Sequence, residues 1–217
     1  KSLSVYGRDI YDREVYFEEE IFPDISTSTF KLRNGGNANE DVKIKDAFLQ
    51  SLITDRDVAV QRSCPCVLFV NGEYWGIYNI RERYNEEYIW NYYRVNKENV
   101  FIMDGTVAEA GGEAATEAYD YMMALATECD LTYDDVYAMV AEQIDVQSLI
   151  DFCCINLYTD NGDLSFRHNM AMWRSAEVSQ EEYGDGKWRW MVYDVDDTLH
   201  DYSDIDPVEY MANYRLL

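Results

Sequence analysis

The sequence predicts an α+β fold with a β-rich N-terminal lobe, a helical middle and a C-terminal β-hairpin. Three observations predict it. Strand-like alternation fills "KSLSVYG" (1–7), "TFKLRNGG" (29–36) and "CVLFVNGEYWGIYNIRERY" (66–84). Helix-forming segments with acidic first turns dominate from 111 to 161. Strand character then returns in "NMAMWRS" (169–175) and "KWRWMVYD" (187–194), joined by an acidic loop whose glycines mark a turn.

Each element has a local reason. Asn71-Gly72 divides two strand-like runs as a type I′ hairpin turn does, because both central residues of that turn need positive φ. Between the first strands and this hairpin, "DVKIKDAFLQSLITD" (41–55) sets Ile44, Ala47, Phe48, Leu52 and Ile53 on a 3.6 period and predicts a short amphipathic helix with those residues inward. After the hairpin, "NEEYIWNYYRV" (85–95) reads as a helix and "NVFIMDG" (99–105) as a strand ending in a turn. Three helices come next: one within 111–129 after a short loop, one over 132–144 starting at Thr132, and one over 145–161 capped by Asp145. Residues 1–217 are expected to form one domain, 1–105 as the β-rich lobe and 106–217 as the helical lobe with its hairpin. The start inside a strand, without an initiator methionine, reads as a fragment of a longer protein.

Composition narrows the partners. With 18 basic and 42 acidic residues the formal charge is −24, which excludes a nucleic-acid backbone as partner because phosphate binding needs cationic surface. No run of eighteen apolar residues exists, so no transmembrane segment is expected. The five cysteines form no CxxC pair, and with His168 and His200 the sole histidines a structural zinc site is not expected. Cys153-Cys154 lie in an apolar run and read as buried thiols, with one bridge from Cys64 or Cys66 to a distant cysteine left open.

The chemistry concentrates in "WRWMVYDVDDTLH" (188–200). Asp194 and Asp196 fit two readings: a nucleophile in a DxDxT phosphatase, or oxygen ligands holding a divalent cation against nucleotide phosphates. The phosphatase needs several βα units after its nucleophile strand, which the 23 residues given beyond Asp194 do not supply unless the sequence cuts through an enzyme, so this reading ranks last. "KWRWMVY" is also too aromatic and basic for a central parallel strand. Hairpin pairing brings together the residues before 169–175 and after 187–194, so Asp163, Asn169, Asp194 and Asp196 are expected at one end of a sheet, with no lysine between them, as a hard-cation site for Mg²⁺, Mn²⁺ or Ca²⁺. The bland reading of the same acids is a solvated turn. Phosphoryl transfer also needs a base for the phosphates, an acid that holds it, an aspartate for the acceptor hydroxyl and a metal-binding Asp beyond a strand. Lys1, Glu82, Asp163, Asn169 and Asp194 occur in that order. Arg81-Glu82-Arg83 equally reads as an exposed strand end with weak surface ion pairs. Trp75, Trp173, Trp188 and Trp190 are expected to pack between sheet and helices.

The blocks "KSLSVYGRDIYDREVYF", "FKLRNGGN", "LFVNGEYWGIYNIRERYNEEYI", "NGDLSFRHNMAMWR" and "WRWMVYDVDDTL" together resemble the spore-coat protein H (CotH) kinase family, across roughly residues 1–200. The resemblance implies an atypical protein-kinase-like fold that uses ATP with Mg²⁺ (or Mn²⁺/Ca²⁺) to phosphorylate Ser/Thr of an extracytoplasmic protein, secreted, at the cell surface or on a spore coat. By this resemblance Asp163 is the catalytic aspartate, Asn169, Asp194 and Asp196 hold the metal, and Lys1 and Glu82 serve nucleotide binding. In "DLSFRHN" the asparagine stands one position later than the usual spacing, which leaves His168 or Asn169 to face the metal. The rival class is a non-catalytic cell-surface binding module of the same fold.

Overall fold

In the computed structural model, residues 2–7, 21–23, 25–36, 42–164 and 169–199 are described. Lys1 and His168 lie outside these residues. The chain forms two four-stranded antiparallel sheets and five α-helices among the described residues. β1 (Leu3–Tyr6), β2 (Thr29–Arg33), β3 (Ser63–Val70) and β4 (Glu73–Arg81) make the first sheet, ordered β1-β2-β4-β3. β5 (Val100–Asp104), β6 (Val107–Ala110), β7 (Ala171–Ser175) and β8 (Arg189–Met191) make the second, ordered β6-β5-β7-β8. The second sheet therefore joins a strand from before residue 105 to the C-terminal hairpin.

The β3–β4 hairpin turns where expected: Asn71 has φ 52 and Gly72 φ 82, the pair of positive angles a type I′ turn requires. β6 has no counterpart in the sequence reading, because "VAEA" carries almost no strand propensity and is held by pairing with β5. The helices α2 (Glu86–Tyr93), α3 (Gly112–Glu128), α4 (Asp134–Gln143) and α5 (Val146–Tyr158) occupy the predicted segments. Asn85 caps α2 by accepting from the Tyr88 N–H, and Asp145 caps α5 by accepting from the Ser148 N–H. Thr132 does not start α4; Tyr133 stands at its N-cap, and the Thr132 hydroxyl bonds Asp130 instead.

α1 (Lys45–Ser51) corrects the sequence reading in an informative way. Ile44, Phe48 and Leu52, assigned to the core, are exposed, while Asp46, Leu49 and Gln50 are buried. The inward stripe is partly polar: Asp46 faces the buried Arg81, while Leu49 joins the main core with Ile53 packed against it. Trp75 is likewise exposed at 48%, whereas Trp173, Trp188 and Trp190 are buried as expected. Cys153 is buried but its neighbour Cys154 is exposed, and all five cysteines are free thiols.

The main core lies between the second sheet and α3, α4 and α5, around Phe152, Trp188, Met172, Met170 and Val192. Full burial of a Phe or Met side chain there contributes about 1.5–3 kcal/mol. A second cluster packs α2, through Tyr88 and Ile89, onto Trp173 and Met191. The first sheet has only a thin core of its own, Phe30, Leu32 and Tyr78. Its link to the second sheet is partly backbone: Ala59 donates to the Trp190 carbonyl at 3.0 Å and accepts from the Val192 N–H at 2.8 Å. No helix among the described residues is long and apolar enough to cross a membrane.

Candidate functional site

Pairing of β7 with β8 puts Ala171 opposite Met191. Asn169, two residues before β7's first residue, and Asp194, three after β8's last, therefore leave the same end of the hairpin. Both have left-handed backbone, φ 59 at Asn169 and φ 56 at Asp194. Asn and Asp tolerate that region better than other non-glycine residues, and such outliers concentrate at functional sites. The Asn169 amide donates to the Asp163 carbonyl at 3.0 Å and to the Asp163 carboxylate at 3.1 Å. The Gly162 N–H donates to the Asp197 carbonyl at 3.2 Å and the Leu199 N–H to the Thr159 carbonyl at 2.7 Å. The loop after α5 and the loop after β8 are thus stitched side by side, as the hairpin reasoning required.

What the sequence did not reveal is the cation between the two aspartates. Arg33, at the end of β2, places Nη2 against Asp194 Oδ1 and 3.2 Å from Asp196 Oδ2, with its Nε 3.8 Å from Asp46 Oδ2. Close approach depends on Gly36, at φ 56: a Cβ there would lie 1.9 Å from Asp196 Oδ2 and 2.6 Å from Arg33 Nη2. Burial pushes the Asp196 carboxyl up to about 6, the hydrogen bond with Asp194 acts in the same direction, and Arg33 opposes both. Burial by itself would lower the Arg33 guanidinium, but Asp194, Asp46 and Asp196 outweigh it and hold Arg33 firmly protonated.

Behind this lies a buried polar network. Asp46 accepts from Arg81 Nη1, from Gln50 Nε2 at 2.9 Å and from the Val195 N–H at 3.2 Å. Asp46 thereby fixes the backbone between the two aspartates of the candidate site. Gln50 accepts from the Gln61 N–H at 2.7 Å, and Gln61 donates to the Glu82 carbonyl at 2.9 Å. Arg81 and Glu82 are both buried, so the reading of 81–83 as an exposed strand end is wrong for these two residues. The Glu82 carboxylate accepts from the Arg62 N–H at 2.7 Å and the Tyr92 hydroxyl at 2.8 Å. Its burial raises its pKa above the usual carboxylate range against the pull of those donors.

A cavity of about 230 Å³ opens between the two sheets, lined by Ser4, Lys31 and Gln61 on one side and by Asp104, Ala171 and Tyr193 on the other. Tyr193 immediately precedes Asp194 and donates its hydroxyl to Asp104. A second polar cavity of about 330 Å³ shares Arg83 and Glu109 with the first. Desolvation lowers the pKa of the Lys31 ammonium, and the like charges of Arg83 and Arg33 add to that. Lys31 and Arg83 thus share the cavity with two acids, Asp104 and Glu109, which act on Lys31 in the opposite direction, and Arg83 lies 3.7 Å from Glu109.

Of the sequence-predicted residues, Asp163 and Asn169 touch directly, Asp194 and Asp196 share Arg33, and backbone bonds join the two loops that carry them. Glu82 is enclosed behind α2 and α1's polar face. Among the described residues, no group of three or more His, Cys, Asp or Glu side chains is placed to hold a metal ion. The spacing reading expects these oxygen donors with no lysine between them; Asp194 and Asp196 share an arginine, Arg33. Signals for the missed residues existed: the double glycine after Arg33, and Asp46 and Gln50 at i, i+4 on a helix.

No curated protein matches the chain. The family described as CotH kinase protein matches residues 1–215, nearly its whole length. With that extent of match, the chain belongs to the CotH kinase family.

Proposed function

We propose that this protein is an ATP-dependent phosphotransferase that phosphorylates Ser/Thr hydroxyls of an extracytoplasmic surface or coat protein. The observation that carries this reading is the junction at the hairpin's end, where an Asp163–Asn169 pair adjoins a loop whose two carboxylates share a cation, in a fold that also holds a cleft lined by Lys31, Arg83, Asp104 and Glu109.

Asp194 and Asp196 are a pair rather than a cluster of three, and such a pair suits a divalent ion whose other ligands come from substrate phosphates. Two carboxylates that hold one guanidinium between them match the charge demand of Mg²⁺, which proteins bind through one or two carboxylates while substrate phosphates complete the shell. Asp194 and Asp196, with Asn169, would hold it, and it would neutralise charge developing on the phosphates. The chain's own residues do the rest. Lys31 and Arg83 face the triphosphate from the cleft, in the role expected of Lys1. Asp163, oriented by the Asn169 amide, accepts the proton of the acceptor hydroxyl as its oxygen bonds to the γ-phosphorus and the bond to the β–γ bridging oxygen breaks, releasing ADP. Alignment and electrostatics supply most of the acceleration. Glu82 acts at a distance, by holding Tyr92 and the Arg62 backbone behind the cleft.

The test is Asp194→Asn assayed for γ-phosphate transfer to a protein acceptor, with circular dichroism as the fold control. Loss of transfer with an unchanged spectrum is expected, and retained transfer contradicts the assignment. A thermal-shift titration separates the reading from a non-catalytic surface module. Stabilisation by ATP only together with a divalent metal supports a kinase, and stabilisation by Ca²⁺ alone supports the module.

A further inference from the structure

We propose that Arg33 is a built-in counter-cation of the Asp194–Asp196 pair, one that must swing away before a divalent ion binds, and that nucleotide phosphates offer it a new partner. The proposal rests on the metal and nucleotide reading above and adds a regulation to it: metal and nucleotide bind cooperatively because one arginine stands between them.

Three features of the geometry lead there. One guanidinium nitrogen, Arg33 Nη2, contacts both Asp194 and Asp196, so it occupies the position between the carboxylates that a shared divalent ion needs. Two cations cannot occupy that position together, and their mutual repulsion at contact distance makes occupation exclusive. Arg33 is also able to leave: its side chain is 21% exposed, unlike Arg81 at 2%. An acid stands beside it, with Asp46 Oδ2 3.8 Å from Nε. Finally, Arg33 and Lys31 are two apart on β2 and so project from the same face of the strand, where Lys31 lines the inter-sheet cavity. A guanidinium released from the aspartates on that face has the cleft before it, where a triphosphate would supply the oxygens it gave up.

The energetic consequence is a reduced fraction of binding-competent protein. If Arg33 keeps the carboxylate pair open only about one-tenth of the time, the apparent metal affinity is about tenfold weaker than the intrinsic one. A nucleotide that binds the displaced arginine removes that penalty, and reciprocity then requires metal to tighten nucleotide by the same factor.

Two measurements decide it. Mn²⁺ binding, monitored by the loss of free-ion electron paramagnetic resonance signal without nucleotide, is compared between the native protein and Arg33→Gln. Binding on the order of tenfold tighter in the variant is expected, together with a smaller gain from added ATP than in the native protein. Equal or weaker binding in the variant overturns the proposal. Loss of a nearby positive charge tightens metal binding even without displacement, so the second measurement uses the native protein alone. The Arg33 guanidinium NMR resonances are expected to be resolved and slowly exchanging without metal and to shift or broaden at saturating Mg²⁺. Unchanged resonances at saturation overturn the proposal, and this arm stands even where Arg33→Gln does not fold. Failure here is distinguishable from failure of the kinase reading. Native protein that binds Mn²⁺ through Asp194 while Arg33 stays in place loses only the counter-cation role. Native protein that holds no Mn²⁺ either alone or with nucleotide present loses both.

Discussion

Replacing Asp46 with alanine tests whether the polar face of α1 is a structural necessity. Asp46 and Arg81 are both nearly sealed from water, with side chains 7% and 2% exposed. Arg81 Nε has no hydrogen-bond partner among the described residues, so the guanidinium depends on Asp46 and on a long 3.5 Å contact with Gln61. Asp46→Ala leaves a buried charge uncompensated, and it also removes the acceptors of Gln50 Nε2 and of the Val195 N–H. Breaking a buried pair by removing one partner costs about 3–5 kcal/mol. For a chain of this size each kcal/mol lowers Tm by about 2–4 °C, so a drop of roughly 6–20 °C is expected. Urea denaturation gives the free energy and a thermal scan gives Tm. The double variant Asp46→Leu/Arg81→Met removes both charges and is expected to recover most of the loss, because a buried ion pair contributes little net stability over well-packed apolar residues. A single variant that loses under about 1 kcal/mol, or a double variant no more stable than the single, refutes the network as drawn.

Three other expectations rest on particular contacts. Phe48→Ser, on the exposed side of α1, is expected to change stability by less than about 0.5 kcal/mol, whereas Leu49→Ala, one residue on and buried, costs about 2–5 kcal/mol. The reverse order in urea denaturation would restore the amphipathic reading of the helix. Gly36→Ala sets a Cβ against Asp196 and Arg33 at φ 56, so it is expected to lose about 1–2 kcal/mol from backbone strain alone and more from the displaced ion pair; a native-like denaturation midpoint would show the contact to be dispensable. Glu82 contributes to the pH dependence alongside Asp196. Burial raises its folded pKa above the unfolded value, so the native state binds more protons between the two, and stability falls as pH rises through that window. Glu82→Gln removes this slope, so its stability relative to the native protein is expected to rise from pH 4 to pH 7; a pH-independent difference in urea midpoints would contradict the assignment.

Local chemistry alone settled much of this protein. Asn71-Gly72 fixes its hairpin because positive φ at two successive positions leaves few other residues possible, and Asn85 and Asp145 mark helix starts because their side chains satisfy free N–H groups. Antiparallel pairing then obliges the residues outside β7 and β8 to be neighbours, which is why Asn169 and Asp194 were legible as leaving the same end of the hairpin. The periodicity of α1 misled because a hydrophobic pattern records which residues dislike water and not which wall the helix meets. That wall carries Arg81, so Asp46 and Gln50 turned inward and Phe48 outward. β6 exists through its pairing with β5, which sequence propensity does not contain. Arg33 reaches Asp194 across 161 positions of chain, a contact that needs both sheets packed and no Cβ at residue 36. The sequence determined most of the elements and the identity of the acids; tertiary structure alone decided β6, the inward face of α1 and which cation stands between the acids, because pairing and ion pairs depend on separations in space that residue order does not encode.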